Sequence, residues 1–185
     1  MTSSNEGMRR RYHDIVKPVP RDYVPSKVGF HRYMVPYLRH VWLDDYRART
    51  PAAEIVQVDL SGFSYLFDIA HARLVAAWTV SQGAIAHKRD SSRMKGHPLT
   101  AEPGHHRGHV IPHQLGGLCD INLVDQRGAL NVGEFRRLER LAVATPGALY
   151  FTYWQYSPAR GAIPASVDQG VLIPGQPADI VTHAN

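Results

Sequence analysis

The stretch that decides the fold lies in the middle of the chain and reads His106-Arg107-Gly108-His109-Val110-Ile111-Pro112-His113. Residues 107–111 are typical of a short strand, and residues 112–120 of a glycine-bearing loop. A second short strand is predicted over 121–124. A helix is predicted over 131–144, because apolar residues recur on one face until Pro146-Gly147 ends it. The sequence therefore predicts a strand, a loop, a strand and a helix in that order.

Four side chains of this unit are suited to the cleavage of a phosphodiester. His109 can take a proton from water, and Arg107 can clamp a phosphate. The oxygen of Asn131 can hold a hard cation without adding charge, and Glu139 can reach water bound to that cation. Arg107 and His109 share one strand face, while Asn131 and Glu139 lie about 80° apart around the helix. We therefore expect the four side chains to share one cleft.

This region resembles the DNA/RNA non-specific endonucleases of the ββα-metal (His-Me finger) superfamily, in the branch found in bacterial polymorphic toxins. The resemblance rests on three motifs, which read His106-Arg107-Gly108-His109, Asn122-Leu123-Val124-Asp125-Gln126 and Leu130-Asn131-Val132-Gly133-Glu134-Phe135-Arg136-Arg137-Leu138-Glu139. By pattern it extends over residues 54–175, and it is specific from 106 to 139. One position departs from the family pattern, because His106 stands where the family has an acidic residue.

The resemblance implies a fold, a reaction and a role for each motif residue. The implied fold is a ββα-metal finger, in which a strand–loop–strand–helix unit carries the active site. His109 would be the general base, and Asn131 would be the direct ligand of a single divalent cation. That cation would be Mg²⁺, with Mn²⁺ or another divalent ion as alternatives. The remaining roles implied are a phosphate contact for Arg107, hydrogen bonds to the cation's waters for Glu139, and support of the site for Asn122 and Gln126.

Several of these side chains also have ordinary structural explanations, which the sequence leaves open. Asn131 near a helix start can be a simple N-cap, because asparagine is a preferred capping residue. Glu139 can be a solvated helix carboxylate, and Arg107 can form a surface salt bridge. His113 can orient its loop or touch the substrate.

The rest of the chain predicts one helix and several strands around this unit. The predicted elements are a helix over 34–47, a strand over 54–59, a hairpin that pairs 63–69 with 74–80, and strands over 149–155 and 171–173. This mixed order is typical of the α+β class with an antiparallel sheet. We expect two segments: an N-terminal arm with one helix over 1–53, which can serve as an interaction segment, and a nuclease domain over 54–185. Trp78 and Tyr150 are assigned to the core.

The charge of the chain favours a polyanionic partner. Its formal net charge is +5 and its isoelectric point is about 9.5. Residues 86–103 are rich in basic side chains, and both a solvated loop and a phosphate-contacting loop fit this pattern. The candidate nucleic-acid contacts are Lys88, Arg89, Arg93, Lys95, Arg136 and Arg140.

Cysteine content and hydropathy set expectations about the compartment. Cys119 is the only cysteine, so the fold does not depend on an intramolecular disulfide. No apolar run follows Arg9-Arg10-Arg11, and no segment is predicted to span a membrane. We therefore expect a protein that is cytoplasmic in its producer or is exported by a non-Sec route. The expected partners are DNA or RNA and an immunity protein, inhibitor or secretion carrier, without a membrane.

Three functional hypotheses follow from the sequence. The first is a metal-dependent endonuclease with little sequence preference, acting as an antibacterial toxin. The second is a nucleic-acid-binding module that has the same fold and no turnover. The third is a housekeeping or nutritional nuclease.

Overall fold

The computed structural model of the protein describes residues 6–8, 11–15, 29–85, 103–158 and 161–185. The helices and turns that position the site are α1 (Phe30–Arg49), a 3₁₀ turn (His113–Leu115), a π-helical turn (Leu130–Glu134) and α2 (Arg136–Ala144). The strands are β1 (Ile55–Leu60), β2 (Phe63–Asp68), β3 (Arg73–Val80), β4 (His105–His109), β5 (Leu123–Arg127), β6 (Leu149–Tyr156), β7 (Pro164–Leu172) and β8 (Asp179–Ala184).

The strands form a large sheet and a separate hairpin. The large sheet has the order β1-β2-β3-β6-β7-β8, and each neighbouring pair is antiparallel. β4 pairs with β5 in an antiparallel hairpin, in which His106 lies opposite Gln126. The predicted α+β class with an antiparallel sheet is confirmed at this level.

Strand β6 runs through the middle of the large sheet, and both of its faces are covered. Phe151 and Tyr153 point to one face, while Tyr150, Thr152 and Trp154 point to the other, because strand side chains alternate. Seven of the eight β6 residues are buried. The burial of Tyr150 confirms its assignment to the core, and that of Trp78 on β3 does the same.

Helix α1 covers the first face of the sheet through a stripe of side chains spaced four residues apart. Met34, Leu38, Trp42 and Tyr46 are its buried residues. The ring of Trp42 lies 5.3 Å from that of Phe151, centroid to centroid. The helix of the predicted N-terminal arm therefore packs on the sheet, while the boundary between residues 53 and 54 stays a prediction.

The second face of the sheet carries the hairpin and α2. The ring of Phe135, at the junction of the π turn and α2, lies 6.0 Å from that of Trp154. The hydroxyl of Thr152 donates to the carbonyl of Val110, which follows β4. These contacts seat the hairpin and the helix on the strands behind them.

The hairpin strands differ from the prediction by two residues or more. β4 ends at His109 rather than at 111, because the side chain of Asn122 takes up both the N–H and the carbonyl of Ile111. β5 begins at Leu123, just after the left-handed residue Asp120, and continues through polar residues to Arg127. The apolar pattern alone placed this strand too early.

The C-terminal part of the sheet was largely missed. β7 spans nine residues rather than the predicted three, and β8 was not predicted. Both strands carry polar residues that are buried in the structure, including Asp168, Gln169 and His183. A pattern based on hydrophobicity does not recognise such strands. Within the described residues, no helix combines the length and apolar character needed to cross a bilayer.

Candidate active site

A cleft of about 660 Å³ opens beside β4, the 3₁₀ turn and the helix that follows β5. Six predicted site residues line it: Arg107, His109, Asn131, Arg136, Glu139 and Arg140. Four further residues complete the lining: Pro112, His113, Gln114 and Val132. The structure therefore brings the general-base candidate, the cation-ligand candidate and three arginines to one place.

His109 reaches this cleft from the last position of β4. It is 9% exposed, and its ring meets that of His113 edge-on at a centroid distance of 6.0 Å. Arg107 lies on the same strand face, two residues earlier. The sequence leaves the role of His113 open, between orienting its loop and touching the substrate. It does not mark the adjacent Pro112 and Gln114 as site residues.

Asn122 braces the loop that joins the two hairpin strands. Its Oδ1 accepts from the Ile111 N–H at 2.9 Å, and its Nδ2 donates to the carbonyls of Ile111 at 2.8 Å and Leu118 at 3.0 Å. A Cβ at Gly117 would overlap the Ile111 carbonyl, so the loop can approach this closely only with glycine there. Asn122 is fully buried and does not line the cleft, so its contacts are those of a support.

Asn131 lies within the π-helical turn, which is closed by a bond from the Phe135 N–H to the Leu130 carbonyl at 3.3 Å. Neither the π turn nor α2 has a side-chain capping hydrogen bond at its start. The N-cap explanation of Asn131 is therefore wrong. A π turn adds one residue to a helical turn, so it changes the angle between Asn131 and Glu139 from about 80° on one side to roughly 20° on the other.

Glu139 lies one turn into α2, on the side that faces the cleft. Burial raises the pKa of its carboxyl to about 7, and the nearby Arg136 offsets part of this rise. A carboxylate that is this poorly solvated is favourable only beside a positive charge. Glu139 is of intermediate exposure overall, so its assignment to a cation's waters rather than to solvent stays a prediction.

The arginines of α2 divide into two groups. Arg136 and Arg140 line the cleft, where with Arg107 they outnumber Glu139, the one carboxylate among the described lining residues. Arg137 instead forms a two-pronged ion pair with Asp179 on β8, at 2.6 and 2.8 Å. The helix therefore presents positive charge to the cleft through Arg136 and Arg140, and it is bonded to the sheet through Arg137.

The unusual residue His106 points away from the cleft. Its neighbours Arg107 and His109 lie on one face of β4, so His106 lies on the opposite face, across from Gln126. On the cleft-facing side, His105 Nδ1 lies 2.6 Å from the buried Asp125 carboxylate. An acidic side chain is thus present in the hairpin, on β5 rather than at position 106.

Some of the predicted site residues lie outside the cleft or outside the described part of the chain. Lys88, Arg89, Arg93 and Lys95 fall outside the described residues. Gln126 is fully buried, behind rather than in the cleft, and within the described part of the chain neither atom of its side-chain amide has a hydrogen-bond partner. Cys119 is partly exposed in the loop.

The donor set of the cleft is unlike a preformed cage of metal ligands. Across the described ranges, no group of three or more histidine, cysteine, aspartate or glutamate side chains is arranged to hold an ion. The oxygen donors that line the cleft beside His109 come from the Asn131 and Gln114 amides and the Glu139 carboxylate. Such a set suits a cation that keeps most of its water.

Comparison with known proteins gives no independent assignment, since neither a protein-family model nor a curated protein sequence matches this chain.

Proposed function

We propose that this protein is a metal-dependent endonuclease that hydrolyses phosphodiester bonds of DNA, RNA or both with little sequence preference. The proposal assigns the β4–β5 hairpin and the helix after it to a ββα-metal finger, in line with the resemblance of residues 106–139. The observation that carries it is the convergence of His109, Asn131 and Glu139 in one cleft with three arginines. General base, cation site and phosphate contacts are the three parts that this hydrolysis needs.

His109 acts as the general base that deprotonates the attacking water. It sits at the wall of the cleft, and the strand before it and the braced loop after it hold its backbone. The residue is largely buried and forms part of the cleft wall. Histidine is the side chain most often used for this task.

Asn131 and Glu139 fit a hydrated divalent cation. Mg²⁺ needs few protein ligands, so one amide oxygen and a carboxylate that contacts its waters are sufficient. The raised pKa of Glu139 supports this assignment, because a nearby cation would favour the ionised carboxylate that burial disfavours. When bound, the ion supplies stabilisation of the negative charge that grows on the phosphate and on the leaving oxygen.

Arg107, Arg136 and Arg140 bind the phosphates of the nucleic acid on either side of the bond that is cleaved. All three side chains line the cleft and bring positive charge to it. Contacts to phosphates bring affinity without sequence information. This arrangement supports the lack of sequence preference in the proposal.

Digestion of plasmid DNA and of single-stranded RNA, with Mg²⁺ and with excess chelator, tests this function. We expect cleavage by the wild type with Mg²⁺ and none with chelator, and a loss of at least about a hundredfold in His109→Ala. His40→Ala is the matched control, because His40 is an exposed histidine of α1 paired with Asp44. Full activity of His109→Ala would contradict the assignment of His109 as the general base. Salt-dependent binding without any cleavage would instead assign a binding module.

An antibacterial role is the biological setting that we propose for this activity. It rests on the resemblance of the motif region to the branch found in bacterial polymorphic toxins rather than on the cleft. Induced expression of the wild type in a bacterial cytoplasm should stop growth, whereas His109→Ala should be tolerated. Harmless expression of an enzyme that is active in vitro, without an immunity partner, would favour a housekeeping or nutritional nuclease.

A further inference from the structure

Behind the π turn, a buried glutamine joins the helix to three strands of the sheet. Gln169 on β7 is fully buried, and its Nε2 donates to the Phe135 carbonyl and to the Tyr150 hydroxyl, each at 3.1 Å. Its Oε1 lies 3.2 Å from Nε2 of His183 on β8. These three residues and the Phe135 carbonyl are called the Gln169 clamp below.

The orientation of the Gln169 amide is determined by its partners. A backbone carbonyl can only accept, so the –NH₂ group must face Phe135 and the oxygen must face His183. His183 must then carry its proton on Nε2, the nitrogen that faces Gln169. Burial lowers the pKa of His183, which favours this neutral ring. The clamp is thus complete without a net charge on any of its own members.

The clamp acts on the end of the π turn. Phe135 donates its N–H to Leu130, which closes the π turn, and its carbonyl accepts the N–H of Glu139 at 3.2 Å. The carbonyl that Gln169 holds is therefore part of the same backbone path that leads from Asn131 to Glu139. The other ring nitrogen of His183, Nδ1, lies 3.2 Å from Oε2 of Glu134, and only a protonated ring could donate to Gln169 and Glu134 at once.

A π turn needs such support because it is a rare departure from the regular α-helix. If it relaxed to a regular helix, every residue before Phe135 would rotate relative to Glu139 by most of one helical step. The Asn131 side chain would then point to a different side of the helix from that of Glu139. A buried polar side chain that bonds the turn from outside opposes this relaxation.

We propose that Gln169 is a positioning residue that holds the π turn in place and so sets the Asn131 side chain against Glu139 in the cleft. The importance of this placement for a cation rests on the proposed function. Gln169 lies on the sheet, does not line the cleft and touches no reacting group. Its direct bond to the turn is the one to the backbone carbonyl of Phe135.

The test compares Gln169→Leu with wild type by two measurements that need no substrate. Calorimetric titration with Mn²⁺ alone should show a dissociation constant at least tenfold higher in the variant. Amide hydrogen exchange in chelator should be at least tenfold faster at residues 130–135, while β2 and β3 stay protected. Gln155→Leu is the matched control, because Gln155 is a partly buried glutamine of β6 whose Oε1 accepts from Ser166 at 3.0 Å. It should change neither measurement.

Several outcomes would decide the proposal. A folded Gln169→Leu protein with wild-type Mn²⁺ affinity and wild-type exchange in the turn would overturn it. If that variant does not fold, Tyr150→Phe and His183→Gln remove one clamp contact each, and wild-type exchange of the turn in both would overturn it as well. Faster exchange and weaker Mn²⁺ binding, in a protein whose wild type cleaves neither DNA nor RNA, would support the clamp and reject the nuclease function.

Discussion

The side-chain amide of Gln126 occupies the space beside Gly108 that a Cβ at position 108 would fill. The two residues lie on neighbouring strands of the hairpin, two pairs apart, on the face opposite Arg107 and His109. Gly108 therefore allows a large buried side chain to cross β4 directly beneath the histidine. Packing between these two residues sets where the strand, and with it His109, can lie.

We expect Gly108→Ala to lower the free energy of unfolding by about 1–3 kcal/mol, because the new methyl group overlaps the Gln126 amide in a packed interior. Urea denaturation measures this change. In Gly108→Ala/Gln126→Ala the overlap is removed, so the double variant should be more stable than the sum of the single changes predicts. Gly133→Ala is the control, since a Cβ there meets no atom within 4 Å. Additive losses would show that the contact does not matter.

The raised pKa of Glu139 predicts a pH dependence of stability in the metal-free protein. The carboxyl holds its proton up to a pKa of about 7 in the folded state, compared with 4.5 as its ordinary value. Between these values the folded state binds more protons than the unfolded state, so the free energy of unfolding falls as the pH rises. The loss from pH 4.5 to pH 8 is on the order of 1–3 kcal/mol.

Glu139→Gln should not show this loss, because its amide stays neutral at every pH. Thermal or urea unfolding in chelator at pH 5 and pH 8 makes the comparison. The free energy of unfolding of the variant should exceed that of the wild type at pH 8 but not at pH 5. Excess Mg²⁺ should reduce the difference in the free energy of unfolding between variant and wild type at pH 8, because it favours the ionised carboxylate of the wild type. A constant difference at both pH values would contradict the assignment.

The two groups of α2 arginines predict different salt dependences of nucleic-acid binding. Arg140→Gln should weaken binding and reduce the slope of log K against log salt by about 0.7–0.9, the contribution of one phosphate contact. Arg137→Gln should leave the slope unchanged, because Arg137 is paired with Asp179 away from the cleft. Fluorescence anisotropy with a labelled oligonucleotide in chelator measures both. Equal slopes in the two variants would contradict a cleft-specific contact.

The packing of α1 predicts that the N-terminal segment is needed for stability. Trp42→Ala should lower the free energy of unfolding by about 3–5 kcal/mol, since Trp42 is fully buried against Phe151 and donates to Tyr12 at 3.0 Å. Tyr33→Ala is the control on the same helix, because Tyr33 is 40% exposed. Chemical denaturation compares them. Deletion of residues 1–53 should expose the aromatic face of β6 and abolish folding, and a stable truncated protein would support an independent arm.

Elements with a regular hydrophobic period were predictable from the sequence. The β2–β3 hairpin, β6 and most of α1 carry such periods, and their predicted bounds agree with the structure to within a few residues. β7 and β8 were missed because their buried residues include Asp168, Gln169 and His183. These side chains are buried only because partners on distant segments satisfy them, and local sequence does not reveal those partners.

The sequence by itself predicted six of the residues that line the cleft, and it determined that Arg107 and His109 share one strand face, because strand side chains alternate. Only the tertiary structure decided how Asn131 faces Glu139. That angle depends on a π turn, which is held from behind by Gln169 and His183. The physical reason is that a π turn is a rare local geometry, stable where packing and hydrogen bonds from distant strands support it.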